Sequence, residues 1–141
     1  MKRLLVLSVL FSIIAGFSML SAQPKADVKN HPKVKVFYFH PSDRCPIDQA
    51  IEANTTKVMQ TNFSKEIREG TILFQVINTD DKSAAKTISK FDINAQALYV
   101  VKIEKGKEFQ KDLTDFAFDY GQSNPGKFKA RLKEEISDAL K

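Results

Sequence analysis

The sequence predicts an α/β protein built as a three-layer sandwich, with a central four-stranded mixed sheet between flanking helices. Segments rich in β-branched and aromatic residues alternate with segments of helical periodicity along most of the chain. A turn that contains Gly106 then joins the last two strand-like segments, which predicts an antiparallel hairpin at one edge of the sheet. At 141 residues the chain has the length of a single domain.

The N-terminal segment has the features of an export signal. Lys2 and Arg3 form a positive start, residues 4–20 are almost wholly apolar, and the small residues Ser21 and Ala22 follow. This order is typical of a cleaved secretory signal; a membrane anchor needs about 20 strongly apolar residues, and serine and glycine dilute this run. We therefore predict a signal peptide over residues 1–22, a flexible lead-in over residues 23–32 and one domain over residues 33–141 of an exported protein with no membrane attachment after cleavage.

The first half of the domain is predicted as strand, helix and strand. Residues 34–39 form the first strand, and their unbroken apolar second half is typical of burial on both faces of a sheet. After a loop, Pro46 suits the first turn of a helix that continues or restarts up to about residue 69, where Gly70 ends it. Residues 71–77 form the second strand.

The second half is predicted as a helix over residues 83–90, strands over residues 97–103 and 108–111, and a final helix. Asn124 can cap the final helix, Pro125 suits its first position, and an apolar stripe continues to Leu140. Residues 114–120 are ambiguous, since their aromatic side chains alternate as in a strand while their aspartates suit a helical turn. Because helices separate the first strands, we expect those strands to be parallel.

Composition and charge exclude several classes of function. The formal net charge is +5, but basic and acidic residues are interspersed, which indicates a solvated mixed surface and no nucleic-acid partner. The chain has five glycines, no glycine-rich phosphate loop and no flavin or nicotinamide signature, so no cofactor is predicted. With one cysteine it cannot form an internal disulfide.

The residues around Cys45 resemble the active-site entry of the thioredoxin superfamily, in which a strand leads through a short loop into a helix that starts at a cysteine. More narrowly, residues 34–140 resemble a bacterial family of small exported thioredoxin-like proteins called nitrophenyl compound nitroreductase subunits. The motifs that carry this resemblance are Phe39-His40, Arg44-Cys45, Ile51-Glu52-Ala53-Asn54, Phe116-Ala117-Phe118 and a terminal helix. The resemblance implies a thioredoxin-like sandwich and a periplasmic location.

Two departures from the superfamily pattern bear on activity. Asp48 stands where the superfamily has its second redox cysteine, three residues after the first, so a dithiol cycle is excluded. The stretch that corresponds to the superfamily's cis-proline, which faces the cysteine, is residues 94–98, and it has no proline. The groove in which partner peptides pair is therefore expected to differ.

The chemistry of Cys45 depends on opposing charges. The positive end of a helix dipole and the guanidinium of Arg44 stabilise a thiolate, which is the form that attacks disulfides. The carboxylate of Asp48 opposes this, because it lies within one helical turn. Two interpretations stay open: Cys45 is a nucleophile, or Cys45 is inert and Asp48 only satisfies backbone donors.

His40 completes the set of candidate residues. At the end of a strand it can serve as a proton shuttle or a ligand, or it can tie down the loop through hydrogen bonds. A metal site formed by His40, Cys45 and Asp48 matches no standard zinc spacing, so no metal is predicted. The candidate catalytic residues are Cys45, Arg44, Asp48 and His40.

The leading hypothesis is an exported thioredoxin-fold protein without a dithiol motif, which serves as a protein-binding or weakly redox-active module for another exported protein. The main alternative is monothiol thiol–disulfide exchange with Cys45 as the nucleophile. If the protein is an enzyme, it is predicted to be at most such a monothiol oxidoreductase. A disulfide-linked homodimer through Cys45 is the third possibility. A stand-alone nitroreductase is not expected, because the chain has no flavin or nicotinamide signature.

Overall fold

The computed structural model describes residues 31–93 and 95–141 of the chain. The predicted signal peptide and residues 23–30 of the predicted lead-in lie outside these residues. The elements are β1 (Val34–His40), α1 (Pro46–Asn62), α2 (Ser64–Arg68), β2 (Ile72–Asn78), α3 (Ala85–Phe91), β3 (Ala97–Glu104), β4 (Lys107–Asp112), α4 (Thr114–Tyr120) and α5 (Pro125–Leu140), with a 3-10 turn, Lys82–Ala84, before α3.

The four strands form one mixed sheet in the order β2-β1-β3-β4. β1 and β2 are parallel, β3 is antiparallel to β1, and β4 is antiparallel to β3. The predicted hairpin is therefore confirmed. The expectation of parallel strands is confirmed for β1 and β2 but is wrong for β3.

Helix length explains the direction of β3. A strand of seven residues, such as β1, is about 23 Å long. The 17 residues of α1 span about 26 Å and return the chain to the start of the sheet, so that β2 runs parallel to β1. The seven residues of α3 span only about 10 Å, so the chain enters β3 from the end at which β2 finishes.

The side chains of the sheet alternate between two cores, as the period of two in a strand requires. Val36 and Tyr38 of β1 lie in the larger core, which also contains side chains of α1, α4 and α5. Phe37 and Phe39 lie in the smaller core with Phe91 of α3. Helices therefore flank both faces of the mixed sheet, and the predicted thioredoxin-like three-layer sandwich is confirmed.

Two regions that the sequence left open are helical. The first predicted helix is interrupted at Phe63, which is buried and non-helical (φ −131°), and a short helix restarts at Ser64. Residues 114–120 form α4, in which Phe116 and Tyr120 lie one turn apart with their ring centroids separated by 4.9 Å. This spacing puts both rings on one side of the helix.

Within the two stretches that the structure describes, no helix is both long enough and apolar enough to cross a membrane.

Candidate functional site

Cys45 lies at the N-cap of α1, directly after the loop that leaves β1. Its backbone is extended (φ −79°, ψ 165°), as an N-cap residue requires, and Pro46 occupies the first helical position. The side chain of Cys45 faces the backbone N–H of Asp48 in a capping-box arrangement, and the free thiol is exposed. The site is at the carboxyl ends of the parallel strands β1 and β2, the usual place for ligands in open α/β sheets.

Asp48 is fully buried beneath Cys45. Its Oδ2 accepts a hydrogen bond from the backbone N–H of Cys45 at 3.0 Å and another from Nε2 of Gln96 at 3.1 Å. Its Oδ1 is also buried and accepts no hydrogen bond from the described residues. These contacts agree with the interpretation of Asp48 as a capping acid, but the buried and half-satisfied carboxylate is costly for a purely structural group.

Tyr38 bonds to the backbone of Asp48. The buried Tyr38 hydroxyl donates a hydrogen bond to the backbone carbonyl of Asp48 at 3.0 Å. Burial raises the pKa of Tyr38 well above its usual value, and the negative charge of Asp48 adds to the rise, while the nearby Arg44 opposes it. Tyr38 therefore remains a neutral donor throughout the physiological pH range.

Arg44 forms an ion pair with Glu52, one helical turn beyond Asp48. The two side chains are 25% and 28% exposed, so the pair is only partly hydrated. From the sequence, the charge of Arg44 is expected to stabilise a Cys45 thiolate. The structure gives the guanidinium a carboxylate of its own, which weakens any stabilisation of the thiolate by Arg44.

His40 ties down the loop that follows β1. Its Nδ1 hydrogen-bonds to the carbonyl of Pro41 at 2.8 Å, and its ring stacks on Tyr38 with a centroid separation of 6.0 Å. Its own carbonyl accepts a hydrogen bond from the backbone N–H of Thr79 at 2.8 Å. Among the described residues, no hydrogen bond joins His40 to Cys45 or Asp48, so the contacts of His40 are those of a loop anchor.

A second loop, which follows β2, holds the loop that carries Cys45. Oδ2 of Asp80 accepts the backbone N–H of Ser42 at 2.7 Å, and Nδ2 of Asn78 donates to the hydroxyl of Ser42 at 2.9 Å. The hydrogen bond from the Ser42 backbone lowers the pKa of the Asp80 carboxyl below its usual value. Asp80 is therefore ionised at neutral pH and keeps the two loops together.

A third loop, which precedes β3, reaches the site through Gln96. The resemblance implies that this stretch faces the cysteine. Nε2 of Gln96 donates a hydrogen bond to Asp48, the residue three positions after Cys45. We name residues 41–45, 79–81 and 95–96, which lead into α1, follow β2 and precede β3, the three-loop surface. Cys45 is exposed on this surface.

Sequence reasoning missed three residues of the site: Tyr38, Glu52 and Gln96. Tyr38 could have been found from strand parity, since it lies two residues from Val36 on the face that α1 covers. Glu52 is eight residues from Arg44, and Arg44 lies outside the helix, so no helical pairing rule links them. Gln96 lies in the stretch that the resemblance implies to face the cysteine, and this is the signal that could have found it.

The structure does not gather a metal centre in its described part, where no group of three or more His, Cys, Asp and Glu side chains is placed to hold an ion. A cavity of about 700 Å³ lies away from Cys45, between the end of β4, α4 and α5. Leu113 and Phe116 contribute apolar surface to it, and Lys127 and Arg131 contribute positive charge. None of the candidate residues Cys45, Arg44, Asp48 and His40 is among the residues that line this cavity.

Comparison of the chain with models of known protein families finds no match, and a search of curated proteins finds none either. The function is therefore argued from the geometry around Cys45.

Proposed function

We propose that this protein is an exported thioredoxin-like module that binds another exported protein at the three-loop surface and exchanges a disulfide with it through Cys45. The observation that carries the proposal is an exposed single thiol at the N-terminus of a 17-residue helix, with the thiol facing the backbone N–H of Asp48 in the first turn. This position favours the thiolate. The resemblance to the exported nitrophenyl compound nitroreductase subunits supports the assignment to the periplasm.

The proposed exchange has two steps. The Cys45 thiolate attacks one sulfur of a partner disulfide; a bond forms between Cys45 Sγ and that sulfur, the partner S–S bond breaks, and the second partner sulfur leaves as a thiolate. The thiolate of a small thiol then attacks the partner sulfur of the mixed disulfide and releases Cys45 as a thiolate. The partner disulfide is thereby exchanged for one with the small thiol.

Asp48 leaves the mixed disulfide without a resolving thiol in this chain. A second cysteine at this position would resolve the intermediate from within, whereas a carboxylate cannot attack sulfur in this way. The side chain of Asp48 is also held by Cys45 and Gln96. The chain has no second thiol, so release comes from an external thiol, or from the freed partner thiolate, which reverses the first step.

Oxidised glutathione is a direct probe of this chemistry. We expect the folded protein to form one adduct at Cys45, detected by intact mass, faster than a cysteine-containing model peptide does. Reduced glutathione should release the adduct, and Cys45→Ser should form none. Adduct formation no faster than in the peptide would contradict the exchange.

A redox-independent binding module is the second candidate function. The charges around the thiol favour it, because Arg44 is paired with Glu52 and the buried Asp48 carboxylate opposes a thiolate. In this case Cys45→Ser would bind the partner as well as the wild type does. Exchange through Cys45 instead predicts that the substitution abolishes the covalent complex.

A disulfide-linked homodimer is a third use of the exposed thiol. It predicts a species of twice the mass on a non-reducing gel, which reductant or Cys45→Ser would remove. Persistence of that species in Cys45→Ser would exclude this use.

A further inference from the structure

β2 is an edge strand with an unpaired outer side. It pairs with β1 only, and within residues 31–93 and 95–141 no strand covers its other side. Val76 of this strand is one of the large apolar side chains left exposed, at 38%. A strand edge of this kind presents free N–H and C=O groups and is a template for pairing with another chain.

The two edges of the sheet differ in charge. β2 has no charged residue over Ile72–Asn78. β4, at the opposite edge, carries Lys107, Glu108, Lys111 and Asp112 within its six residues. Since charged side chains are a common protection of edge strands, β4 is protected against pairing and β2 is not.

The sequence of β2 is compatible with pairing to itself. Residues directly opposite one another in an antiparallel pair share a face of the sheet. If a two-fold axis passes through Gln75, then Leu73 faces Ile77 of the second copy and Phe74 faces Val76. All four apolar side chains are partly or well exposed in the single chain, and such pairs of aromatic, aliphatic and β-branched residues stabilise sheets.

Antiparallel pairing of two copies about a two-fold axis is unfavourable at β4, although Phe109 is 53% exposed there. An axis through Phe109 sets Lys107 opposite Lys111 of the second copy. An axis through Gln110 sets Glu108 opposite Asp112. Like charges directly opposite are destabilising, so the charge pattern selects β2 and not β4 for pairing between identical chains.

We propose that two copies of the protein pair antiparallel through β2, with Gln75 on the two-fold axis, and so join their sheets into one. The pairing depends on main-chain hydrogen bonds and on apolar side chains of both faces. It requires no thiol, and it is therefore separate from both the exchange chemistry and the disulfide-linked dimer considered for Cys45.

The oligomeric state of the purified protein with its native N-terminus tests the proposal. Sedimentation equilibrium under reducing conditions should show a dimer that persists in Cys45→Ser. Gln75→Lys sets two lysines opposite each other and should raise the dimer dissociation constant by about tenfold or more. Gln110→Lys is the matched control, since it makes the same change at an exposed glutamine of β4, and it should leave the dimer intact.

Disulfide cross-linking tests the register. In a Cys45→Ser background, Gln75→Cys should cross-link to its own copy fastest, and Phe74→Cys and Val76→Cys should be slower. A monomeric wild type, equal dimerisation of the wild type and Gln75→Lys, or fastest cross-linking at another position would overturn the proposal. So would a monomer whose β2 amides become protected from hydrogen exchange only when a different protein is bound.

Discussion

At the residue scale, Asp48 has the largest influence on what Cys45 can do. It combines full burial with one oxygen that accepts two hydrogen bonds and another that accepts none from the described residues. The accepted bonds fix the start of α1 and the loop before β3. The negative charge acts against a thiolate one turn away, so the same group builds the site and moderates its reactivity.

Asp48→Asn separates these two effects, because an amide keeps an accepting oxygen but removes the charge. We expect Cys45 to be alkylated roughly fivefold faster at pH 7, since a repulsion of ~1 kcal/mol is typical of two charges a few Å apart in water. The rate of iodoacetamide modification measures this. Asp115→Asn, at an exposed acid of α4, is the control and should change nothing. An unchanged or slower rate in Asp48→Asn would refute the repulsion.

The candidate residues could be predicted from the sequence, but most of their contacts could not. Cys45, Asp48 and His40 stand at an element boundary that prolines and a motif reveal. The partner of Arg44 could not be found in this way, because Arg44 precedes α1 and Glu52 is eight residues away, which matches no helical pairing rule. Local patterns identify residues that act along one element, and they miss pairs that the tertiary fold creates.

At the element scale, α1 is fixed to the rest of the domain by a close contact with the turn after α4. Nδ2 of Asn54 donates to the carbonyl of Gly121 at 2.9 Å. A Cβ at Gly121 would lie 2.5 Å from Cγ1 of Ile51 and 2.5 Å from the carbonyl oxygen of Ala117. Glycine is therefore required here for space, and three residues of the motifs that carry the family resemblance, Ile51, Asn54 and Ala117, serve this contact.

Gly121→Ala should destabilise the protein by about 1–3 kcal/mol, the usual cost of forcing extra atoms into a packed core. Urea unfolding would give the difference. Gly126→Ala is the matched control, because its Cβ would meet nothing closer than 3.6 Å and alanine is the better helix former. Equal stabilities of Gly121→Ala and the wild type would show that the contact is looser than described.

A second element-scale contact is made by Glu108 of β4, which pairs with Lys35 of β1 and with Lys90 of α3. The hydrogen bond from Lys90, followed by that from Lys35, lowers the pKa of Glu108 below its usual value. A carboxyl group whose pKa is lower in the folded state contributes stability above its unfolded pKa, about 4.3. That contribution is lost as the pH falls through the folded pKa.

Glu108→Gln should therefore reduce the free energy of unfolding at pH 7 by up to about 1 kcal/mol, as is usual for partly exposed ion pairs. The difference from the wild type should disappear as the pH is lowered through the folded pKa of Glu108. Urea unfolding over a pH series tests both points, with Glu104→Gln at the exposed end of β3 as the control. A difference that is independent of pH would rule out the charge as its cause.

Several elements were predictable from local patterns, whereas the direction of β3 and the nature of residues 114–120 were not. β1, β2 and α5 have clear apolar patterns and end signals. The direction of β3 depends on how far α3 carries the chain, which strand propensity does not report. In α4 the aromatic residues alternate along the sequence as they would in a strand. The contacts of the Phe116 ring with the rings of Phe128 and Tyr120 depend on the helical conformation, and the local pattern does not report them.

At the scale of the whole molecule, the fold brings together parts that are far apart in the chain. The carboxyl ends of β1 and β2 and the loop before β3 meet around one exposed thiol. Hydrogen bonds through Ser42 and Gln96 hold these loops. Cys45 lies at one end of the sheet and the unpaired edge lies along β2, so the proposed disulfide exchange and the proposed pairing use different surfaces.

The measurement that tests the central claim most directly is the rate of Cys45 alkylation as a function of pH. A thiolate stabilised by the first turn of α1 should react at a rate that stays high well below pH 8.5, about the value at which a model thiol loses its proton. The folded protein and a Cys45-containing peptide would be compared under the same conditions. A rate that falls with pH as the peptide's does, or is slower throughout, would contradict disulfide exchange at Cys45.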